Sequence, residues 1–200
     1  MTFGVVIPPS LSNYLGSLGP AGRHNLFSVA ANALKILVRD HILDIAPAHH
    51  VWSGKLGAKA TRHLTRGARR VTHAADADHG EVVIPITGIS RAFHDVAITP
   101  SRAAALTIPL HGSAYGHRVA ELQRMGWMIF RPKGKDVLMG YQKDMTLKNG
   151  QHEAVELYAL KRRVLQRQDR TLLPSDAKIH STVARAMVAE LVRMQRKAGA

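Results

Sequence analysis

Apolar side chains recur at helical spacing over residues 25–45 and cover most of the circumference of the predicted helix. Asn25 is a suitable N-cap, and Pro47 ends the helical pattern. A helix that is apolar on nearly every side must be covered by more than one partner. We expect Leu37 to be buried and one face to pack on the chain's own sheet. The other face is predicted to contact a second subunit through residues drawn from Ile36, Val38, Ile42 and Leu43.

Short runs of β-branched residues alternate with proline and glycine turns through the middle of the chain. Two such runs, residues 96–99 and 105–110, are joined by Pro100-Ser101-Arg102. Because proline fixes φ and removes a backbone donor, Pro100 and Pro109 indicate strand ends or sheet edges. Further strands are predicted at residues 81–86, 127–130, 137–141 and 155–166, with a short helix at 114–125 and turns at 74–80, 131–135 and 149–150.

The chain closes with a second amphipathic helix, which follows Pro174. Ser175 is its predicted N-cap, and Asp176 suits the positive end of the helix dipole. The order of a long helix, hairpin-connected strands and a final helix predicts an α+β fold with a mainly antiparallel sheet. The apolar stripe of this last helix consists of Ile179, Val183, Met187, Leu191 and Met194.

Length and composition favour one domain with an extension. Two hundred residues, 46% of them hydrophobic, are enough for one core. Residues 1–24 are rich in Gly, Pro and Ser and are predicted to form an N-terminal arm or linker. Residues 25–200 are predicted to form a single domain with a basic loop at about 49–80. We expect no disulfide, no signal peptide and no membrane-spanning segment.

Basic residues dominate the charge of the chain. The formal net charge is +14, and such a surface attracts polyanions, with nucleic acid ahead of an acidic protein partner. The densest basic stretch lies within residues 49–71, which contain no acidic residue. This pattern fits a flexible basic loop or short helix that contacts nucleic acid or an acidic partner, and it fits a solvated charge run equally well. The candidate contact residues are Lys55, Lys59, Arg62, Arg66, Arg69 and Arg70.

The sequence contains no recognisable catalytic or metal-binding motif. Twelve histidines include the pair His49-His50, but none has the ligand spacing of a known metal site. Gly112-Ser113-Ala114 lacks the spacing of a nucleophile elbow, and Ser113 is predicted to cap the helix that follows. We therefore predict no catalytic residue, no metal ligand and no cofactor, and we expect that the protein is not an enzyme.

Three segments of the chain resemble a known family. They are GISRAFHDVAITPSRAAALTIPLHGSAYGHRVAEL at residues 88–122, KGKDVLMG at 133–140 and LYALKRRVLQRQDRTLLP at 157–174. These segments are similar to tailed-phage virion morphogenesis proteins, the small neck or tail-completion proteins of the head–tail junction. In that family a G-I-x-x-x-x-H-x-G-x-I-x-P segment precedes L-x-I-P and A-Y-G. The chain departs from the pattern at Asp95-Val96, where relatives tend to have glycine.

The resemblance implies a structural, non-enzymatic virion component. Such a protein forms a ring that joins head and tail as a neck, head–tail connector, tail-completion or tail-terminator protein. The implied partners are further copies of the chain, other neck, portal-side or tail proteins, and genomic DNA in the lumen of the ring. The implied location is the head–tail junction of the virion, reached from the host cytoplasm during assembly. The residues also leave open a stand-alone basic nucleic-acid-binding module.

Overall fold

The computed structural model describes residues 18–50, 55–58, 62–144 and 152–198. It has a long N-terminal helix, antiparallel sheets with hairpins and a C-terminal helix, which confirms the predicted α+β fold. Within the region predicted as one domain, the chain divides into two compact units. The first unit contains Met1–Pro47, Arg62–His94 and Asp169–Ala200, and the second contains Ala48–Thr61 and Asp95–Gln168.

Helix α1 (Pro20–Ile45) runs through the first unit. It begins at Pro20 rather than at Asn25, because proline suits the first helical positions, where its missing N–H has no helical partner. Residues 20–24 of the predicted N-terminal arm therefore belong to this helix. The part of the arm before residue 18 lies outside the described residues.

A short β-hairpin packs against α1. Strands β1 (Thr72–Ala75) and β2 (Gly80–Val83) pair antiparallel. The sequence predicted a strand at 81–86 but placed residues 74 and 75 in a turn. The turn is built by Asp76, whose Oδ1 accepts hydrogen bonds from the backbone N–H groups of Asp78 (2.7 Å) and His79 (2.8 Å). The sequence of β1 is THAA, which carries little β propensity, so pairing with β2 rather than local preference makes it a strand.

The core of the first unit corrects two predicted interface residues. Helix α1 is covered by the hairpin, by α2 (His63–Ala68) and by the C-terminal helix α4 (Asp176–Ala198). Val38 and Ile42 are fully buried in this core and are therefore not available to a second subunit. The surplus apolar surface of α1 is thus covered from several sides within one chain. Leu37, predicted to be buried, is half-buried at the edge of the same core.

Helix α4 follows its predicted pattern. The backbone N–H of Lys178 donates to Ser175 Oγ at 3.4 Å, as expected of an N-cap. The stripe residues Ile179, Val183 and Met187 are buried, and Leu191 and Met194 pack at the edge of the core.

The second unit is built on a four-stranded antiparallel sheet. Strand β3 (Val96–Ile98) lies outside it and pairs with β8 (Val164–Gln166), while helix α3 (Val119–Arg124) packs on the sheet. The two extended runs around Pro100 are therefore both present, but they pair with later strands and not with each other. In spatial order the sheet contains β4 (Leu106–Pro109), β7 (Val155–Lys161), β6 (Val137–Gln142) and β5 (Trp127–Phe130).

The strand predicted over residues 155–166 is two strands in the structure. It breaks at Arg162-Arg163, where both arginines remain exposed, because a charged side chain on an apolar sheet face would lose its hydration. A β-bulge opposite Leu138 and Met139 also shifts the register. Leu157 and Tyr158 consequently both face the core, with exposures of 0% and 1%, although neighbouring strand residues normally alternate.

Candidate nucleic-acid interface

The predicted basic stretch is divided between the two units. Lys55 belongs to the second unit, whereas residues from Arg62 onwards belong to the first. Lys59 lies outside the described residues. The stretch is therefore not a continuous loop, and its residues have to be considered in two groups.

The first group is organised by α2. Arg62 precedes this helix in the left-handed conformation, with φ of 53°, and Arg66, Arg69 and Arg70 follow along the helix and its end. All four arginine side chains are exposed, while the apolar face of α2 is buried in the core of the unit. The charged residues of this segment thus form an outward cationic face of a packed helix. The buried residues of α2 are Leu64, Gly67 and Ala68.

A small pocket lies beside this cationic face. It has a volume of about 210 Å³ and is lined by His63 and Arg66 from α2, by Arg70 from the turn after α2 and by residues 85–87 from the segment after β2. His63 and Arg66 have the i, i+3 spacing that places side chains on one side of a helix, and Arg70 follows in the turn, where its backbone N–H donates to the Gly67 carbonyl oxygen at 2.9 Å. The structure thus brings two of the predicted arginines to one point, and Arg62 and Arg69 do not line the pocket.

Close packing holds the two walls of the pocket together. An added Cβ at Gly67 would lie only 2.2 Å from Ile86 Cγ1, so the backbone of α2 contacts this side chain directly. Ile86 is itself buried, and its neighbour Pro85 has a fixed φ. The walls are therefore set by backbone approach and by a stiff β-branched side chain.

Sequence reasoning missed the two other polar side chains of this pocket, His63 and Thr87. His63 could have been found from its i, i+3 spacing to Arg66, had the short helix been chosen over the flexible loop for this stretch. Thr87 carries no comparable signal, because it lies far along the chain and reaches the pocket only through the packing of Gly67 on Ile86.

A second, wider pocket of about 620 Å³ lies in the second unit. Its walls are residues 56–58 and the loop from His111 to His117. The loop approaches residue 56 closely: a Cβ at Gly112 would lie 2.4 Å from the Leu56 carbonyl oxygen. The predicted capping role of Ser113 is corrected here, because its backbone N–H donates to His111 Nδ1 at 3.2 Å and α3 begins later, at Val119.

Arg118 and Glu121 form the real start of α3. The Glu121 carboxylate accepts a hydrogen bond from the backbone N–H of Arg118 at 2.9 Å, which is one half of a capping box; the Arg118 side chain has no acceptor to supply the other half. This backbone hydrogen bond lowers the pKa of Glu121. Tyr158 Oη donates to the His117 carbonyl oxygen at 2.9 Å, and burial raises the pKa of its phenol. These groups fix the loop that lines the wider pocket.

Several acidic and histidine side chains have structural roles in turns. Hydrogen bonds from the backbone of Asp78 and His79 lower the pKa of Asp76, and His79 Nδ1 lies 2.9 Å from its other carboxylate oxygen. Asp95 Oδ1 accepts from the backbone N–H of Gln168 at 2.6 Å. Among the described residues, no three His, Cys, Asp or Glu side chains are grouped so that they could hold a metal ion.

The face of the sheet opposite α3 carries exposed apolar side chains. Met128 and Phe130 on β5 are 41% and 43% exposed, and they pair with Tyr141 and Met139 on β6. The ring of His152 stacks on Tyr141 at a centroid distance of 4.4 Å. These apolar side chains therefore lie on and beside β5, which is an edge strand of the sheet.

Of the residues predicted to lie at a subunit interface, two remain at the surface of the first unit. Ile36 is 40% exposed on α1, and Leu43 is half-buried beside the core. Their contact with a second subunit stays a prediction.

Comparison with known proteins leaves the chain without an assigned family. No family model matches it, and neither a curated protein nor a solved structure shows significant similarity to it. In the parts of the chain that the structure describes, no helix has the length and apolarity required to cross a bilayer.

Proposed function

We propose that this protein is a structural component of a tailed-phage virion, a ring-forming neck or tail-completion protein that joins head and tail. The observation that supports it most is the pairing of the segments that resemble that family. Strand β3 pairs with β8, and β7 pairs with both β4 and β6, so each of these pairs joins two resembling stretches. The motifs therefore coincide with one folded framework rather than with scattered surface residues.

Features of the sheet and of α1 fit assembly into a ring. In a ring each copy contacts its neighbour through two different surfaces, and the contact closes after a fixed number of copies. Exposed Met128 and Phe130 on edge strand β5, and exposed Ile36 on α1, are apolar side chains that such contacts would cover.

The charge of the chain fits DNA in the lumen of the ring. The net charge of +14 favours phosphate contacts that do not depend on base sequence. Passage of genomic DNA requires this kind of contact, because a sequence-specific site would read only one position of the genome.

The direct test is to image particles assembled without this protein. We expect filled heads and finished tails that fail to join, or heads that lose DNA, and recovery when the wild-type gene is supplied. The purified protein should form rings visible by electron microscopy, with a matching mass in solution. Normal infectious particles in its absence would contradict the proposal.

A second candidate function is a stand-alone nucleic-acid-binding module. The cationic face of α2 favours it, since that face needs no second subunit to be presented. Such a module would bind DNA as a monomer or dimer with strongly salt-dependent affinity. A DNA-binding monomer that forms no rings, together with normal particles in its absence, would favour this function over the first.

A further inference from the structure

The pocket beside α2 has the composition of an anion site. Two guanidinium groups, from Arg66 and Arg70, and the imidazole of His63 line it from one side. Thr87 supplies a hydroxyl from the other side, and none of the lining residues is acidic. Arginine matches the oxygens of a phosphate through paired N–H donors, and charge-assisted hydrogen bonds of this kind are strong.

The size of the pocket limits what can enter. Its volume of about 210 Å³ is enough for several water molecules, since one water needs about 10–15 Å³ of such space. A phosphate group with part of its hydration shell fits in this space, whereas a duplex does not. The pocket can therefore receive one phosphate that projects from a larger molecule lying across its opening.

The frame of the pocket is set before any ligand arrives. The direct contact of Gly67 with Ile86 holds α2 against residues 85–87, so the spacing between Thr87 and the helix is fixed by packing. A fixed backbone frame leaves only side chains to be ordered on binding, which lowers the conformational entropy lost. What distinguishes Arg66 and Arg70 from Arg62 and Arg69 is that they line the pocket, whereas the other two share only the basic surface.

We propose that this pocket binds one backbone phosphate of DNA, held by Arg66 and Arg70 with His63 and Thr87 as further hydrogen-bonding groups. That the phosphate belongs to DNA rests on the proposed function, whereas the binding of a phosphate rests on the residues of the pocket itself. Arg62 and Arg69 then add only long-range attraction. DNA would be fixed to the first unit at a defined point and attracted more diffusely elsewhere.

The test compares two double variants with the same net charge. Arg66→Gln with Arg70→Gln removes both pocket cations, and Arg62→Gln with Arg69→Gln removes two cations outside it. Binding of a labelled duplex of random sequence is measured by fluorescence anisotropy at several salt concentrations. Circular dichroism and thermal unfolding establish that both variants are folded.

The pocket variant should bind DNA about tenfold more weakly than the matched control at the same salt concentration, the loss expected from a charge-assisted hydrogen bond. Its salt dependence should fall by about 0.9 in the slope of log affinity against log salt, the value for one phosphate contact. Thr87→Val, which changes no charge, should weaken binding without changing that slope. Inorganic phosphate should compete with DNA for the wild-type protein and not for the pocket variant.

Equal losses in the two double variants would overturn the proposal and indicate a diffuse basic surface. Absence of DNA binding by the wild-type protein would overturn it as well, and so would phosphate competition that is identical for wild type and pocket variant. Ring formation is measured separately for each protein. DNA binding lost only in the pocket variant, with no rings from the wild type, would uphold the pocket and refute the proposed function. If the wild-type protein forms rings and joins particles, but both double variants bind DNA equally well, the proposed function would be upheld and the pocket refuted.

Discussion

Replacing Gly67 with alanine tests whether close backbone packing builds the pocket beside α2. An ideal Cβ at this position would lie 2.2 Å from Ile86 Cγ1 and 3.0 Å from its Cδ1. The atom it meets first, Cγ1, is bonded directly to the branched Cβ, and Ile has a restricted χ1, so rotation away from the overlap would leave the preferred rotamer. Helix α2 must move away from residues 85–87, or Ile86 must leave its rotamer.

Two opposing effects decide whether Gly67→Ala raises or lowers the free energy of unfolding. Alanine in place of glycine inside a helix stabilises by about 1 kcal/mol. Overpacking of a filled core costs about 1–3 kcal/mol, and an overlap this deep against a stiff side chain belongs near the upper limit. We therefore expect Gly67→Ala to lower the free energy of unfolding by about 1–2 kcal/mol. For chains of 150–250 residues, each kcal/mol corresponds to about 2–4 °C in Tm.

Gly22 in α1 provides the matched control. A Cβ there would meet Leu18 at 3.5 Å, an ordinary contact distance, so Gly22→Ala should stabilise by up to about 1 kcal/mol. Chemical denaturation followed by circular dichroism measures both variants. Ile86→Ala in the background of Gly67→Ala should then show favourable coupling of about 1 kcal/mol or more, because the new methyl group enters the vacated space. A Gly67→Ala variant as stable as wild type would refute the reasoning.

Three further predictions concern other parts of the chain. Ile36→Asp should prevent oligomerisation more than it affects folding, measured by light scattering and thermal unfolding, and an unchanged oligomer would remove the predicted contact. Ser175→Ala should cost about 1 kcal/mol through loss of the α4 N-cap, measured by denaturation. A hydrogen bond from the Arg193 guanidinium lowers the pKa of Glu190, which is 5% exposed. The ionised Glu190 therefore stabilises the folded state above its unfolded pKa, and this stabilisation is lost as the pH falls through the folded pKa. Unfolding measured below about pH 4.3 should therefore depend less on pH in Glu190→Gln, and an identical pH profile would contradict this.

Local signals in the sequence were sufficient for the elements whose pattern and caps agree. Helix α4 has a regular stripe and a serine cap, and the structure reproduces both. Strand β5 and the start of β6 match their predicted bounds because glycine marks the turn between them. Strand β1 was missed because its residues favour no strand, and only pairing with β2 makes it one.

Apolar surface in a sequence does not show which partner covers it. Val38 and Ile42 were assigned to a subunit interface because α1 is apolar on too many sides for one cover. The structure instead surrounds α1 with three elements of the same chain. Of these, α2 was predicted only as an alternative to a loop, and strand β1 of the hairpin was not predicted. A subunit interface inferred from surplus apolar surface therefore requires that every element of the same chain that could cover this surface has been identified.

The same reasoning applies to the basic stretch that the sequence treated as one feature. Charge alone gives six equivalent cations, but α2 and the turn that follows it bring Arg66 and Arg70 to one pocket, which Arg62 and Arg69 do not line. The contact of Gly67 with Ile86 then brings Thr87 to the same point. Whether DNA responds to the sum of the charges or to this one arrangement is what the two equally charged double variants distinguish. A difference between them can arise only from the fold, because the two variants carry the same net charge.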